Sequence, residues 1–189
     1  MFKSSKIFAI LFLFALCTFA YSNRYCYPLD INQVFNEIEN MFNAEDAQGI
    51  VNLMGILEQP ASAEEKQAAA DAAAEVTKLT HGLAGNMEII DFMDGAQIRD
   101  DEYASISISD AYFKNTSNQV AHSLRKVKYG NAGEGFLKIY FPAQGGPGSE
   151  VGSKPCAIFW GIKREGNYDL ISNLTTQLQA IENKYKKSK

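Results

Sequence analysis

The chain has 189 residues, with 18 Lys+Arg against 22 Asp+Glu, a net charge of −4, two His, three Cys and 46% hydrophobic residues. That length and apolar share fit one domain with a real core and exclude a largely disordered or collagen-like chain. The acidic balance excludes a general nucleic-acid binder, and so few His and Cys exclude a zinc-finger or Cys-rich metal scaffold.

Met1 to Ser22 reads as a secretory signal peptide. Lys3 and Lys6 form a positive start, Ile7 to Phe19 is almost wholly apolar, and Thr18-Phe19-Ala20 or Ala20-Tyr21-Ser22 supplies small residues at a cut site. The apolar run is shorter than the ~20 residues that span a bilayer, so cleavage leaves no transmembrane span; an uncleaved signal anchor is the alternative. Leu16 before Cys17 does not fit the small residue that a bacterial lipoprotein has there. The expected location is periplasmic or secreted. Cleavage removes Lys3, Lys6 and Cys17 and no acid, so the net charge moves from −4 to −6. Residues 23–189 then read as one domain, without repeats or a linker. Its two cysteines, Cys26 and Cys156, are most simply a disulfide in an oxidising compartment, and two buried thiols are the other reading.

Asp30 is a good N-cap for a helix whose Val34, Phe35, Ile38, Met41 and Phe42 share one face. Asp46 caps a second, short helix carrying Ile50, Val51, Leu53, Met54 and Leu57. Ser62 with Glu65 forms a capping box that opens an Ala-rich third helix, with Gly82 and Gly85 as stops. From Asn86 the period changes to two. Strands are expected at Met87 to Met93, Tyr103 to Ser109, Gln119 to Tyr129, Phe136 to Phe141, Cys156 to Arg164 and Tyr168 to Ile171. A C-terminal helix carries Leu174, Leu178, Ile181 and Tyr185. Helices first and antiparallel strands after is the α+β order: N-terminal helices on one face of a curved, mostly antiparallel sheet, with an extra C-terminal helix.

This order, with Phe35 to Met54 (FNEIENMFNAEDAQGIVNLM) and Ala157 to Leu174 (AIFWGIKREGNYDLISNL), resembles the NTF2-like cone of the cystatin-like superfamily. The first stretch is similar to a helix, an Asn-Ala-x-Asp break and a second helix; the second is similar to a closing strand pair. The resemblance covers roughly residues 31–174 and is nearest to exported, functionally uncharacterised members. It implies helices in the concave side of a bent sheet. In the superfamily's enzymes, the resulting cavity holds an Asp or Glu with a His or Tyr.

No complete catalytic motif is present. Ser149 is not in G-x-S-x-G, and the Gly-rich stretches lack a following Gly-Lys-Ser/Thr. The acid–base candidates are Asp91, Asp94, Tyr112 and His122, and Tyr112, His122 and Trp160 are the expected pocket residues. The alternative for these is a turn residue (Asp94), a strand residue (His122) and core (Trp160). The two His carry no ligand spacing, and Asp91 to Glu102 has no Ca²⁺ loop pattern, so no metal and no cofactor are expected. Lys114, Arg125, Lys126 and Lys128 cluster on a hairpin, and Phe136-Lys138-Tyr140 offers a sheet surface for a partner. Asn115-Thr116-Ser117 and Asn173-Leu174-Thr175 are glycosylation triplets. The leading expectation is an exported, non-enzymatic domain that binds a small apolar ligand or a protein partner. An acid–base enzyme and a self-associating structural subunit, such as a homodimer, are the alternatives.

Overall fold

The computed structural model describes residues 30–58, 61–109, 120–142 and 154–185. The expected signal peptide at Met1 to Ser22, Cys26, Tyr112 and the Asn115 triplet lie outside the described residues. Four helices and five strands are described: α1 (Ile31–Asn43), α2 (Ala47–Met54), α3 (Ala63–Ala84), β1 (Met87–Phe92), β2 (Tyr103–Ser109), β3 (Val120–Tyr129), β4 (Gly133–Pro142), β5 (Ala157–Lys163) and α4 (Tyr168–Tyr185).

The helix starts follow their capping chemistry. Asp30 accepts a hydrogen bond from the Asn32 N–H and Asp46 from the Gly49 N–H, while Ser62 and Glu65 form a reciprocal capping box. Gly85, with φ of 77°, ends α3. The expected strand at Tyr168 to Ile171 does not form. Those residues are the first turn of α4, because Gly166 (φ 79°) turns the chain and the Asn167 amide donates to the Ala132 and Lys163 carbonyls. The Asn167 carbonyl then accepts the Ile171 N–H at 2.9 Å, and Ile171 and Leu174 bury one helical face. The segment after Trp160 is therefore strand and helix, not a closing hairpin.

The strands form one antiparallel, unclosed sheet in the order β1-β3-β4-β5-β2. Four antiparallel steps make the two edge strands, β1 and β2, run in the same direction. The segment from Met93 to Glu102 must therefore cross the sheet, over about 19 Å at the usual strand spacing. It does so on the outer face, where Met93 and Ile98 pack with Leu124, Phe136, Tyr103 and Phe159.

The helices take the other face. Phe42 is the wedge there, with its ring centroid 4.8 Å from Trp160, 5.2 Å from His81 and 6.3 Å from Tyr129. Val127, Leu137, Ile139, Ile158, Trp160 and Ile162 bury against it with Phe35, Ile38, Ile50 and Met54. The small side chains Ala70 and Ala73 let α3 come close. Its buried Thr77 and Thr80 hydroxyls donate to carbonyls one turn back, at 2.9 and 2.7 Å.

The outer face needs glycine at one crossing. A Cβ on Gly161 would stand 2.1 Å from the Phe136 ring, which lies across it. Gly161→Ala should therefore lower stability by about 1–3 kcal/mol, the usual cost of overpacking. Urea unfolding checks this, and Phe136→Leu in the same background should restore part of the loss.

Candidate functional site

The sequence-predicted site residues are not gathered in one place. His122 pairs with Tyr140 across β3 and β4, whereas Trp160 pairs with Leu137 and Ile106. Because side chains alternate along a strand, this parity puts His122 on the outer face and Trp160 on the helix face. Trp160 is fully buried core, and its Nε1 has no hydrogen-bond partner among the described residues. The expected pocket shared by His122 and Trp160 is thus not formed, for the sheet itself separates them. Asp91 pairs with Lys126 on the outer face, four residues along β3 from His122, or about 14 Å at the usual rise. Its carboxylate accepts from the Phe92 N–H at 2.7 Å, so Asp91 and His122 are not a hydrogen-bonded dyad. Asp94 stands at the turn before Gly95–Gln97, where its N–H donates to the Gln97 side chain.

His122 belongs to an aromatic strip. Its ring lies 5.6 Å from Tyr140, which lies 5.3 Å from Phe159, with the Lys138 ammonium 4.9 Å from the Tyr140 ring. Desolvation, then Lys138, push the imidazole below its ordinary value. Cys156 is buried at the same end of the sheet, its Sγ 3.3 Å from the Tyr140 carbonyl oxygen. Of the predicted basic hairpin, Arg125 is on the helix face, with its guanidinium over the Phe35 ring at 4.4 Å. Lys126 and Lys128 face the outer side opposite Asp91 and Glu88.

A groove of about 510 Å³ runs between α3, the C-terminal half of α4 and the edge strand β2. Ala72, Val76, Ile106, Leu178 and Ile181 give it an apolar lining, and Ser105, Ser107, Glu182 and Tyr185 a polar one. Apolar walls with a few polar groups, at this size, fall within the range of small-molecule sites. Its far end is held by a latch: Lys184 and the Tyr185 hydroxyl both donate to Glu75 of α3. Lys184 first, then Tyr185, hold the Glu75 carboxyl below its ordinary value.

The sequence places Leu174, Leu178, Ile181 and Tyr185 at helical spacing in the C-terminal helix. Ile171 and Leu174 of α4 are buried, and Leu178 and Ile181 are half-buried against the main core.

No protein-family model, no curated protein and no solved structure matches the chain.

On the outer face, Glu134 collects the Tyr103 hydroxyl at 2.9 Å and the ammonium groups of Lys126 at 3.3 Å and Lys163 at 3.9 Å. Burial, then the hydrogen bond to Glu134, push the Tyr103 phenol up to about 12. Tyr103, then Lys126, lower the Glu134 carboxyl against an opposing desolvation. Tyr103's folded value is raised, so its contribution to stability is complete below the ordinary phenol value and is lost as pH rises through about 12. Glu134's is lowered, so its contribution is present above the ordinary carboxylate range and is lost on acidification. In an alkaline titration followed by phenolate absorbance, Tyr103→Phe should remove one late ionisation and leave the early ones unchanged.

Proposed function

We propose that this chain is an exported, non-enzymatic binding domain whose site is the groove between α3, α4 and β2. The observation that carries this reading is the groove's composition, an apolar floor of Val76, Ile106, Leu178 and Ile181 beside an uncharged strand edge. The separation of Asp91 from His122 supports binding over acid–base chemistry. Export rests on the signal-like start of the chain. An oxidising compartment would allow a Cys26–Cys156 bond in place of two thiols, and intact mass after alkylation without reductant would then show neither of the two labelled. For an NTF2-like relationship, the support is the helix–Asp–helix opening at Ile31 to Met54.

Nile red, a neutral apolar probe, tests the site. It should bind saturably and quench the fluorescence of Trp160, the chain's one tryptophan, which stands beside Ile106 of the groove. Ile181→Lys should weaken binding at least about tenfold, roughly 1.4 kcal/mol, because it brings an ammonium group to the apolar floor. His122→Ala should leave it unchanged. Binding that is indifferent to Ile181→Lys would refute the groove as the site.

A further inference from the structure

The two halves of α4 are held differently. In the first half, Ile171 and Leu174 are buried, and the Asn167 side chain ties the start to the Ala132 and Lys163 carbonyls. Beyond Leu174 no residue of α4 is fully buried, and Leu178 and Ile181 are half-buried against the core. This second half stands between two hollows. The groove of about 510 Å³ lies on its β2 side. A second hollow of about 450 Å³ lies on its other flank, lined by Glu75, Lys78 and Leu79 of α3 and Gln177, Ala180 and Ile181 of α4. Ile181 borders both, and every α4 residue that lines either one falls within residues 177–185. Open space on two sides leaves a helix few buried contacts, and segments held in that way open more readily than the core does.

The junction of the two halves has its own chemistry. Thr175 and Thr176 follow the last buried residue, and their hydroxyls donate to the Ile171 and Ser172 carbonyls at 2.8 and 3.0 Å. Bonds of this kind to the preceding turn compete with the helix ladder and bend helices, and two successive β-branched residues lower helix propensity there. Gln177 stands at the same level and donates to Asn173 across it. Past the junction, Gln179 donates to Glu182 and Asn183, bonds that stay within the second half. At the far end, Glu75 of α3 accepts from the Lys184 ammonium and from the Tyr185 hydroxyl. The Lys184 side chain is 58% exposed and that of Glu75 37%. Exposed ion pairs are weak and screened by salt, so this tie can both hold the segment and release it.

We infer that residues 177–185 are a lid on the groove: they swing as one helical piece about Thr175 and Thr176, and the Glu75 latch sets how much of the time the lid is closed. Opening withdraws Leu178, Ile181, Glu182 and Tyr185 from the groove together. Ala72, Val76 and Ile106 stay behind as a floor that a guest reaches from the α4 side. This gating rests on the groove being the binding site, whereas the hinge and the latch stand without it.

Amide hydrogen exchange followed by NMR on the full chain tests the hinge. Protection should fall in one step, high at residues 171–174 and lower but equal across residues 179–182, whereas a helix end that frays loses protection gradually. Glu75→Ala puts a good helix former in α3 and removes the latch. It should lower the protection of residues 179–182 by one common factor of about two to five and leave residues 171–174 unchanged. Added salt should lower the same protection in the parent and not in Glu75→Ala. Thermal unfolding should show the variant folded. A gradual decline, or protection of residues 179–182 that is indifferent to Glu75→Ala, overturns the lid. For the gate, stopped-flow association and dissociation of Nile red should both quicken in Glu75→Ala by about the factor seen in exchange. Unchanged rates beside a clear exchange step overturn the gate and leave the groove reading standing. An exchange step in a chain that does not bind Nile red overturns the groove reading and leaves the lid.

Discussion

Everything in this fold answers to one topological constraint, that β1 and β2 run in the same direction at opposite edges of the sheet. Ten residues separate them, and those residues must traverse β3, β4 and β5. Met93 and Ile98 make the crossing on the outer face, using Leu124 and Phe136 as footing. A face crossed by backbone cannot also receive helices at packing distance, so α1, α2 and α3 occupy the other side. Phe42 then fills the centre against Trp160 and Tyr129. Replacing an aromatic ring at such a position by a methyl typically costs about 3–5 kcal/mol, so this contact, more than any surface ion pair, holds the two layers together.

The same arrangement divides polar duties between the faces. Outer-face carboxylates are occupied with structure: Glu134 by a phenol and two ammonium groups, Asp91 by its neighbouring N–H, and Asp101 and Glu102 by Arg99. On the helix side, Asn43 and Glu39 serve the β1 backbone, and Glu75 ties α3 to the end of α4. Each of these groups has a packing partner that explains its presence. The outward backbone groups of Ser105 and Ser107 have none among the described residues, and the half-buried Leu178 and Ile181 of α4 line the groove beside them.

How much of this was legible in the sequence depended on the range of the interaction concerned. Capping is local, so Asp30, Asp46 and Ser62 with Glu65 could be read directly, and alternation located Tyr103–Ser109. Tyr168 to Ile171 was misread because four residues with two apolar ones satisfy either period. What decides them is Asn167 bonding to Ala132, a partner 35 positions away. Strand order was hidden for a similar reason, since nothing in β1 or β2 alone says that three later strands will come between them. Asn43 looked like part of a break between helices, yet its partner Met87 is 44 positions on. For the site, alternation told which residues of one strand share a face, but not how the faces of β3 and β5 align. Hence Trp160 and His122 could be named together although the sheet parts them.

Catalysis by a carboxylate and an imidazole needs both within hydrogen-bond reach in a water-poor cavity. Here the aromatic strip of His122, Tyr140 and Phe159 lies on a sheet face, and the groove lies at the sheet's edge beside α4. The groove's lining residues supply hydroxyls, one carboxylate and strand backbone. The Glu75 latch ties the end of α4 to α3, so the two helices that wall the groove are held together at its far end.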